Sequence, residues 1–372
     1  MNSSNATCTG AYPDLWMGGQ SILFLVCGLA CVWSNGLLIA LMQRSTVLPG
    51  NVRLLLSHAF IAHIVSNIYY LEVPLYIWLG LARPGFVDWL AARPIVCSLL
   101  SLSHATGGCA ADILTTSIAI ERALAYLSFG SFEETQSSSL GGKVFVLCAW
   151  LLSGANVFAP IVSAVEEKGQ TSRLVCFCHC LLNLPQPYTW VVLIGSLLLP
   201  CVGLVLFLAV LYRIKRSYSR FGINLAKSNL TRRFQLHVSI QTIRSLSATF
   251  LLLILIIPLV MGSWIYQLPY LQHQQNTSKL NVFLASHYPL MLYLIVSPLV
   301  VLAKHESLRK ALSLYYPSLS QKIFGLEACS VREETDEKLL PLGIKDHKSS
   351  PQQAQDIIDM FWYRDGKSAA GK

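Results

Sequence analysis

Seven runs of about twenty apolar residues follow one another along this chain, separated by short polar stretches: 21–43, 54–79, 95–127, 144–165, 189–212, from near 235–245 to 268, and 280–303. A hydrocarbon layer about 30 Å thick needs about 20 residues of helix to cross it. It also forbids open strand edges and irregular backbone. The pattern therefore predicts an all-α membrane protein, a seven-transmembrane helix bundle. Composition agrees: 53% of residues are hydrophobic and 13% charged, where a soluble domain carries about 25% charge.

The charges set an orientation. The stretches 43–53, 122–143 and 213–244 carry twelve Lys and Arg, whereas 1–20, 80–94, 166–188 and 266–279 carry five. Cationic loops stay in the cytoplasm, so the N-terminus is expected outside, as a multi-pass protein of the plasma membrane. The net charge of +9 is thus topological, and nucleic acid is not an expected partner. Glycosylation sequons at Asn2, Asn5 and Asn276 fall on the outer side. The first 20 residues hold no Lys or Arg, so no cleavable signal peptide is expected. The domain reading is an extracellular 1–20, a membrane domain 21–303, and a cytoplasmic 304–372. In the last part Leu308, Ala311, Leu312 and Tyr315 recur at helical spacing beside Arg309 and Lys310, as in an amphipathic helix on the inner leaflet. A charged tail, 330–372, follows and is expected to be disordered. The loop 213–244, with eight cations and no acid, could meet anionic membrane lipid or an acidic partner.

Cys27, Cys31, Cys109, Cys148 and Cys201 lie inside apolar runs and read as small hydrophobes. Cys97 and the trio Cys176, Cys178 and Cys180 flank apolar runs. Zinc sites draw C-x2-4-C pairs from two segments, and the trio does not, so a disulfide from Cys97 to Cys178, or to Cys176 or Cys180, is expected in place of a metal. No metal or cofactor is expected anywhere.

The third span is the densest in chemistry. Cys97 and Arg122 stand 25 residues apart, roughly 37 Å of helix, so one end of a single helix carries a cysteine and the other the adjacent pair Glu121-Arg122. Between them lie His104, the pair Gly107-Gly108, and Asp112, an acid at a depth where acids are costly unless they serve a function. Candidate ligand-binding residues are His104, Asp112, Trp264 and His287, with Glu72 beside Pro74. Asn35, in the first span, requires a partner on a neighbouring helix. His58 and His63 diverge by about 140° around the second span and cannot share a metal. Lining an ion channel or transporter path is the alternative role for Glu72, His63 and Asp112. Spans five and six supply almost no polar residues for such a path, and no internal repeat of the transporter kind is visible. A membrane hydrolase lacks histidines at ligand spacing, and no enzyme is expected.

Asn35, the Cys97-to-Arg122 spacing, Trp150, Pro200, Pro258 and Pro298 together resemble the rhodopsin-like receptor plan, although Glu121-Arg122-Ala123 stands where that plan has Asp-Arg-Tyr. Glu121-Arg122-Ala123-Leu124-Ala125 followed by Phe132-Glu133-Glu134, and Leu230-Thr231-Arg232-Arg233-Phe234-Gln235-Leu236, are similar to segments of the nematode serpentine receptor class epsilon (Sre) family. The alpha and beta classes are related alternatives. The resemblance implies a chemosensory G-protein-coupled receptor, in sensory-neuron membranes or their cilia, for a small-molecule odorant or pheromone. It implies a heterotrimeric G protein as partner, contacted through Glu121, Arg122, Arg232 and Arg233. Pairing with a second receptor stays open.

Overall fold

The computed structural model describes residues 13–44, 48–83, 85–91, 96, 99–127, 140–166, 186–221, 230–273 and 277–324, with only the backbone described in parts of several helices, such as 214–221 and 230–239. All regular structure among them is helical: α1 Leu15–Arg44, α2 Gly50–Ala82, α3 Gly85–Ala91, α4 Leu102–Leu127, α5 Leu140–Glu166, α6 Gln186–Phe221, α7 Leu230–His273, α8 Thr277–Ala285, α9 Tyr288–Lys304, α10 Glu306–Tyr315 and α11 Pro317–Phe324. Seven spans form the bundle, the seventh made of α8 and α9 together. Leu15–Arg44, Gly50–Ala82, Leu193–Arg213, Ile240–Gln267 and Ser278–Lys304 are each long and apolar enough to cross a bilayer.

The helix ends depart from the expected ones for local reasons. α1 starts at Leu15 because the Asp14 carboxylate accepts the Met17 N–H at 2.7 Å, an N-cap. In the third span α4 runs from Leu102, after a turn at Ser101 that follows helical residues 99 and 100, and its 26 residues reach about 39 Å; Cys97 lies outside the described residues. The seventh span is not one helix: it breaks at Ser286 and His287. Pro289, just inside α9, has no N–H to donate to the carbonyl four residues back, and its ring crowds that carbonyl.

α4 packs against α2, α5 and α6, and α9 lies between α1 and α7. The central position of α4 explains how it tolerates His104, Asp112, Thr115, Thr116 and Ser117: most of its surface meets protein rather than lipid. The lipid-facing surface is carried by helices such as α1, where Ile22, Val26, Leu29 and Trp33 are exposed at helical spacing, and α6, where Val191, Ile194, Leu198, Val202 and Val205 are.

Among the described residues two large apolar clusters fill the bundle, with a small third one around Leu90. One holds Phe24, Tyr69, Tyr70, Ile257, Trp264, Phe283 and Leu294. The other holds Leu38, Leu55, Leu114, Ile118, Phe207, Phe250, Val301, Leu308 and Leu312. Buried polar residues lie between them in the sequence of each helix: Ser34 and Asn35 on α1, His63, Ser66 and Asn67 on α2, Ser297 on α9. Gly107 lets α4 meet α2 there, since a Cβ on it would fall 2.2 Å from the Ser66 nitrogen.

Beyond α9, the amphipathic α10 buries Leu308 and Leu312 and leaves Leu314 and Tyr315 exposed. Arg44, ending α1, sits over the rings of Tyr315 and Tyr316 at 5.7 and 5.5 Å.

Candidate functional site

Two arrangements of chemistry occupy opposite ends of α4. At its start, rings from four spans converge. The His104 ring centroid lies 5.2 Å from Tyr69, 5.4 Å from Tyr70 and 6.1 Å from His287. His287 in turn lies 5.0 Å from Trp264, 4.9 Å from Phe283 and 5.9 Å from Tyr70. Thus α2, α4, α7 and the α8–α9 break each contribute to one cluster, and both imidazoles are more than nine-tenths buried.

Local folding positions each ring. The His104 Nδ1 is 3.1 Å from the Ser66 hydroxyl, which Gly107 allows to come close. The His287 Nδ1 is 2.9 Å from the Phe283 carbonyl, one turn back in α8. The Trp264 indole N–H donates to Ser286 Oγ at 2.9 Å, and Ser286 donates to the Phe283 carbonyl at 2.6 Å. Two side chains therefore serve the carbonyl of Phe283, where the seventh span loses its regular ladder.

Of the residues expected from the sequence, the structure joins His104, Trp264 and His287. Asp112 stands eight residues further along α4, hydrogen-bonded to Ser196 of α6 and close to the Tyr293 phenol of α9. Tyr293 also meets the ring of His63, centroid to centroid at 5.8 Å. Asp112 thus belongs to a mid-depth group rather than to the ring cluster. Glu72 has one buried carboxylate oxygen without a hydrogen bond and is not among the rings of the cluster. Tyr69, Tyr70 and Phe283 were missed because aromatic residues inside an apolar run read as core. His58 accepts a 3.3 Å hydrogen bond from the Trp150 indole, tying α2 to α5, and shares no site with His63.

At the other end of α4, Arg122 and Glu121 form a two-point pair, Nε to Oε2 at 2.5 Å and Nη2 to Oε1 at 2.6 Å. Their side chains are 4% and 8% exposed, so this is a buried pair rather than a surface one. Removing either partner from such a pair strands a buried charge, which is costly. Arg232 and Arg233 lie in the first turn of α7, their side chains outside the described residues. Also outside them lie Cys97, Cys176, Cys178 and Cys180, the sequons at Asn2, Asn5 and Asn276, and the 330–372 tail. Among the described residues, no group of three His, Cys, Asp or Glu side chains is placed to hold a metal.

Among solved structures, squid rhodopsin is similar, with a TM-score of 0.55 and 13% identity over 87% of this chain and 94% of that one. At that identity the likeness is one of fold. No curated protein matches by sequence. The profile of the serpentine type 7TM GPCR receptor class ab chemoreceptor family matches residues 17–318, from within α1 into α11. That match corrects the reading of class epsilon: the resemblance holds for serpentine chemoreceptors, and the class is ab. The chain is a multi-pass membrane protein and a chemosensory G-protein-coupled receptor, and nothing favours the channel or transporter reading. It belongs to the class ab chemoreceptor family of serpentine seven-transmembrane G-protein-coupled receptors.

Proposed function

We propose that a small odorant or pheromone binds at the His104 end of the bundle, and that its binding frees Arg122 from Glu121 at the other end to engage a heterotrimeric G protein. The observation that carries this reading is the occupancy of one central helix: the ring cluster begins at His104 and the buried ion pair closes at Arg122, roughly 27 Å apart along the helix. A ligand shifts a bundle only by its differential affinity for two packings. Rings supplied by α2, α4, α7 and the broken seventh span offer such a difference, because displacing any one helix changes several ring contacts together.

In this reading the His104 end faces the cell exterior and the Arg122 end the cytoplasm. Residues 1–20 are extracellular, with Asn2, Asn5 and Asn276 open to glycosylation and Cys97 bonded to Cys178 or to a neighbouring cysteine. Residues 304–372 are cytoplasmic, with α10 on the inner leaflet, and Arg232 and Arg233 line the approach of the G protein. Asp112, at mid-depth, and Glu72, toward the outer end of α2, act as polar groups outside the ligand cluster.

The test is guanine-nucleotide exchange on co-expressed G protein. Arg122→Ala should abolish both basal and odorant-stimulated exchange, and Glu121→Gln should raise the basal rate several-fold. Equal exchange in wild type and Arg122→Ala would reduce the pair to a structural one.

A further inference from the structure

We infer that His305, at the corner between α9 and α10, is a positioning residue for signalling: with Glu306 it holds the sixth span against the seventh in the resting receptor, and activation releases that hold. This rests on the receptor reading above and adds a second restraint to it, one that involves neither Glu121 nor Arg122.

The corner belongs to the Arg122 end of the bundle. Thr116 of α4 and Phe250 of α7 meet at Gly203 of α6, where an added Cβ would fall 2.8 Å from the Phe250 ring and 3.6 Å from Thr116 Oγ1. At the opposite end, His287 packs on both His104 of α4 and Trp264 of α7. The two helices therefore run in opposite senses. Measured from the Gly203 level, Arg122 lies about 9 Å onward along α4 and Thr242 about 12 Å back along α7, both away from the ring cluster.

The sixth span carries no acid of its own: Leu230–His273 contains neither Asp nor Glu. The corner supplies partners to it. Thr242 Oγ1 is 3.5 Å from His305 Nε2, and both residues are 1% exposed. Beside them Gln241 Nε2 donates to Glu306 Oε2 at 3.5 Å, while Glu306 Oε1 takes Lys310 Nζ at 2.7 Å within α10. Ile243 and Leu246 of α7 back these contacts in one apolar cluster with Leu302 and Leu308.

The backbone fixes where His305 stands. Its N–H donates to the Val301 carbonyl and closes α9, and its own carbonyl accepts from Arg309 in α10, at 2.9 and 3.0 Å. A shift of the corner thus moves both helices, and a shift of the inner part of α7 breaks both polar contacts together. Pro258 lies between Thr242 and Trp264, and a helix bends at proline, so the ring cluster and the corner sit on either side of one bend. The 3.5 Å separations are at the long limit of hydrogen bonding. A releasable hold requires that, because a small ligand shifts a bundle only by its differential affinity for two packings. Of the two contacts the buried one carries more, since water readily replaces the exposed one.

The experiment reads nucleotide exchange by the full-length receptor with its G protein. Thr242→Val, which keeps the side-chain volume and removes the hydroxyl, should raise basal exchange roughly two- to tenfold, the effect of losing one hydrogen bond. Thr242→Ser should stay at the wild-type rate. His305→Phe should match Thr242→Val, and the double variant should exceed neither, because both changes remove the same contact. Gln241→Ala, at the exposed contact, should raise the rate less. A second measurement needs no G protein. By hydrogen exchange of the receptor alone in nanodiscs, the amides of 240–246 and 305–309 should exchange faster together in Thr242→Val, with 260–267 unchanged. Basal exchange equal to wild type in Thr242→Val and His305→Phe, or wild-type protection of both segments, overturns the positioning role. The receptor reading is judged apart from it: basal exchange lost in Arg122→Ala but unmoved in Thr242→Val fails the hold alone. Exchange independent of Arg122 fails that reading, and the amide protection then decides the hold.

Discussion

The side-chain amide of Asn35 occupies the hydrogen-bonding place that Pro298 leaves empty. Its Nδ2 donates to the Leu294 carbonyl at 3.0 Å, the acceptor that a residue four positions later would normally serve and that a proline cannot. Asn35 also donates to the Cys31 carbonyl at 2.8 Å. One side chain thus bridges the ladders of α1 and α9, and a proline inside the membrane is tolerated because a neighbouring helix satisfies the carbonyl it frees.

A double-mutant cycle tests this pairing. Asn35→Ala should lower the stability of the receptor by about 0.6 to 1.7 kcal/mol, the range for hydrogen bonds between membrane helices. In a Pro298→Ala background the backbone N–H is restored to Leu294, and the same change should cost measurably less. Equal costs in both backgrounds, read by thermal unfolding in nanodiscs, would show that the two residues act independently.

The approach of α4 to α2 rests on Gly107. An added Cβ would lie 2.2 Å from Ser66 N, 2.6 Å from Ala62 O and 2.7 Å from Ser66 Cα, all backbone atoms. Gly107→Ala should therefore destabilise by about 1–3 kcal/mol, as overpacking does. It should also weaken the response to the odorant, since Ser66 holds His104. The neighbouring Gly108 has its nearest atom at 4.0 Å, so Gly108→Ala should be neutral or slightly stabilising. Comparing melting temperatures of the two variants separates the packing effect from helix propensity.

Trp264 and Ser286 form a coupled pair at the break in the seventh span. Ser286→Ala removes the acceptor of a buried indole N–H and should cost about 1–3 kcal/mol. Trp264→Phe keeps the ring and removes the donor, so the double variant should be less damaged than the sum of the singles. Strict additivity in thermal unfolding would mean that the 2.9 Å contact contributes nothing to joining α7 to the seventh span.

Legibility from the sequence followed locality. The seven spans were readable because twenty apolar residues in a row report their surroundings without reference to anything else. The amphipathic helix after the seventh span was readable for the same reason, and the structure buries Leu308 and Leu312 on its inward face. Asn35 announced that it required a partner, though not which one. The class of receptor was misread because the motifs shared with class epsilon, around Glu121-Arg122 and Arg232-Arg233, are only a few residues long. The break in the seventh span had a signal in Pro289 that the apolar pattern around it masked.

By itself the sequence determined that this chain is an all-helical membrane bundle, where its spans lie, and that His104, Asp112 and Glu121-Arg122 share one helix; each follows from hydropathy or from spacing along a single segment. Only the tertiary structure decided that His104 and His287 share a cluster while Asp112 turns to Ser196. It alone decided that Asn35 serves the carbonyl freed by Pro298, and that His287 Nδ1 lies 2.9 Å from the Phe283 carbonyl. The reason is physical. A polar group taken from water must find its partner wherever the bundle brings one, and in this protein hydrogen-bond partners lie up to 268 residues apart along the chain.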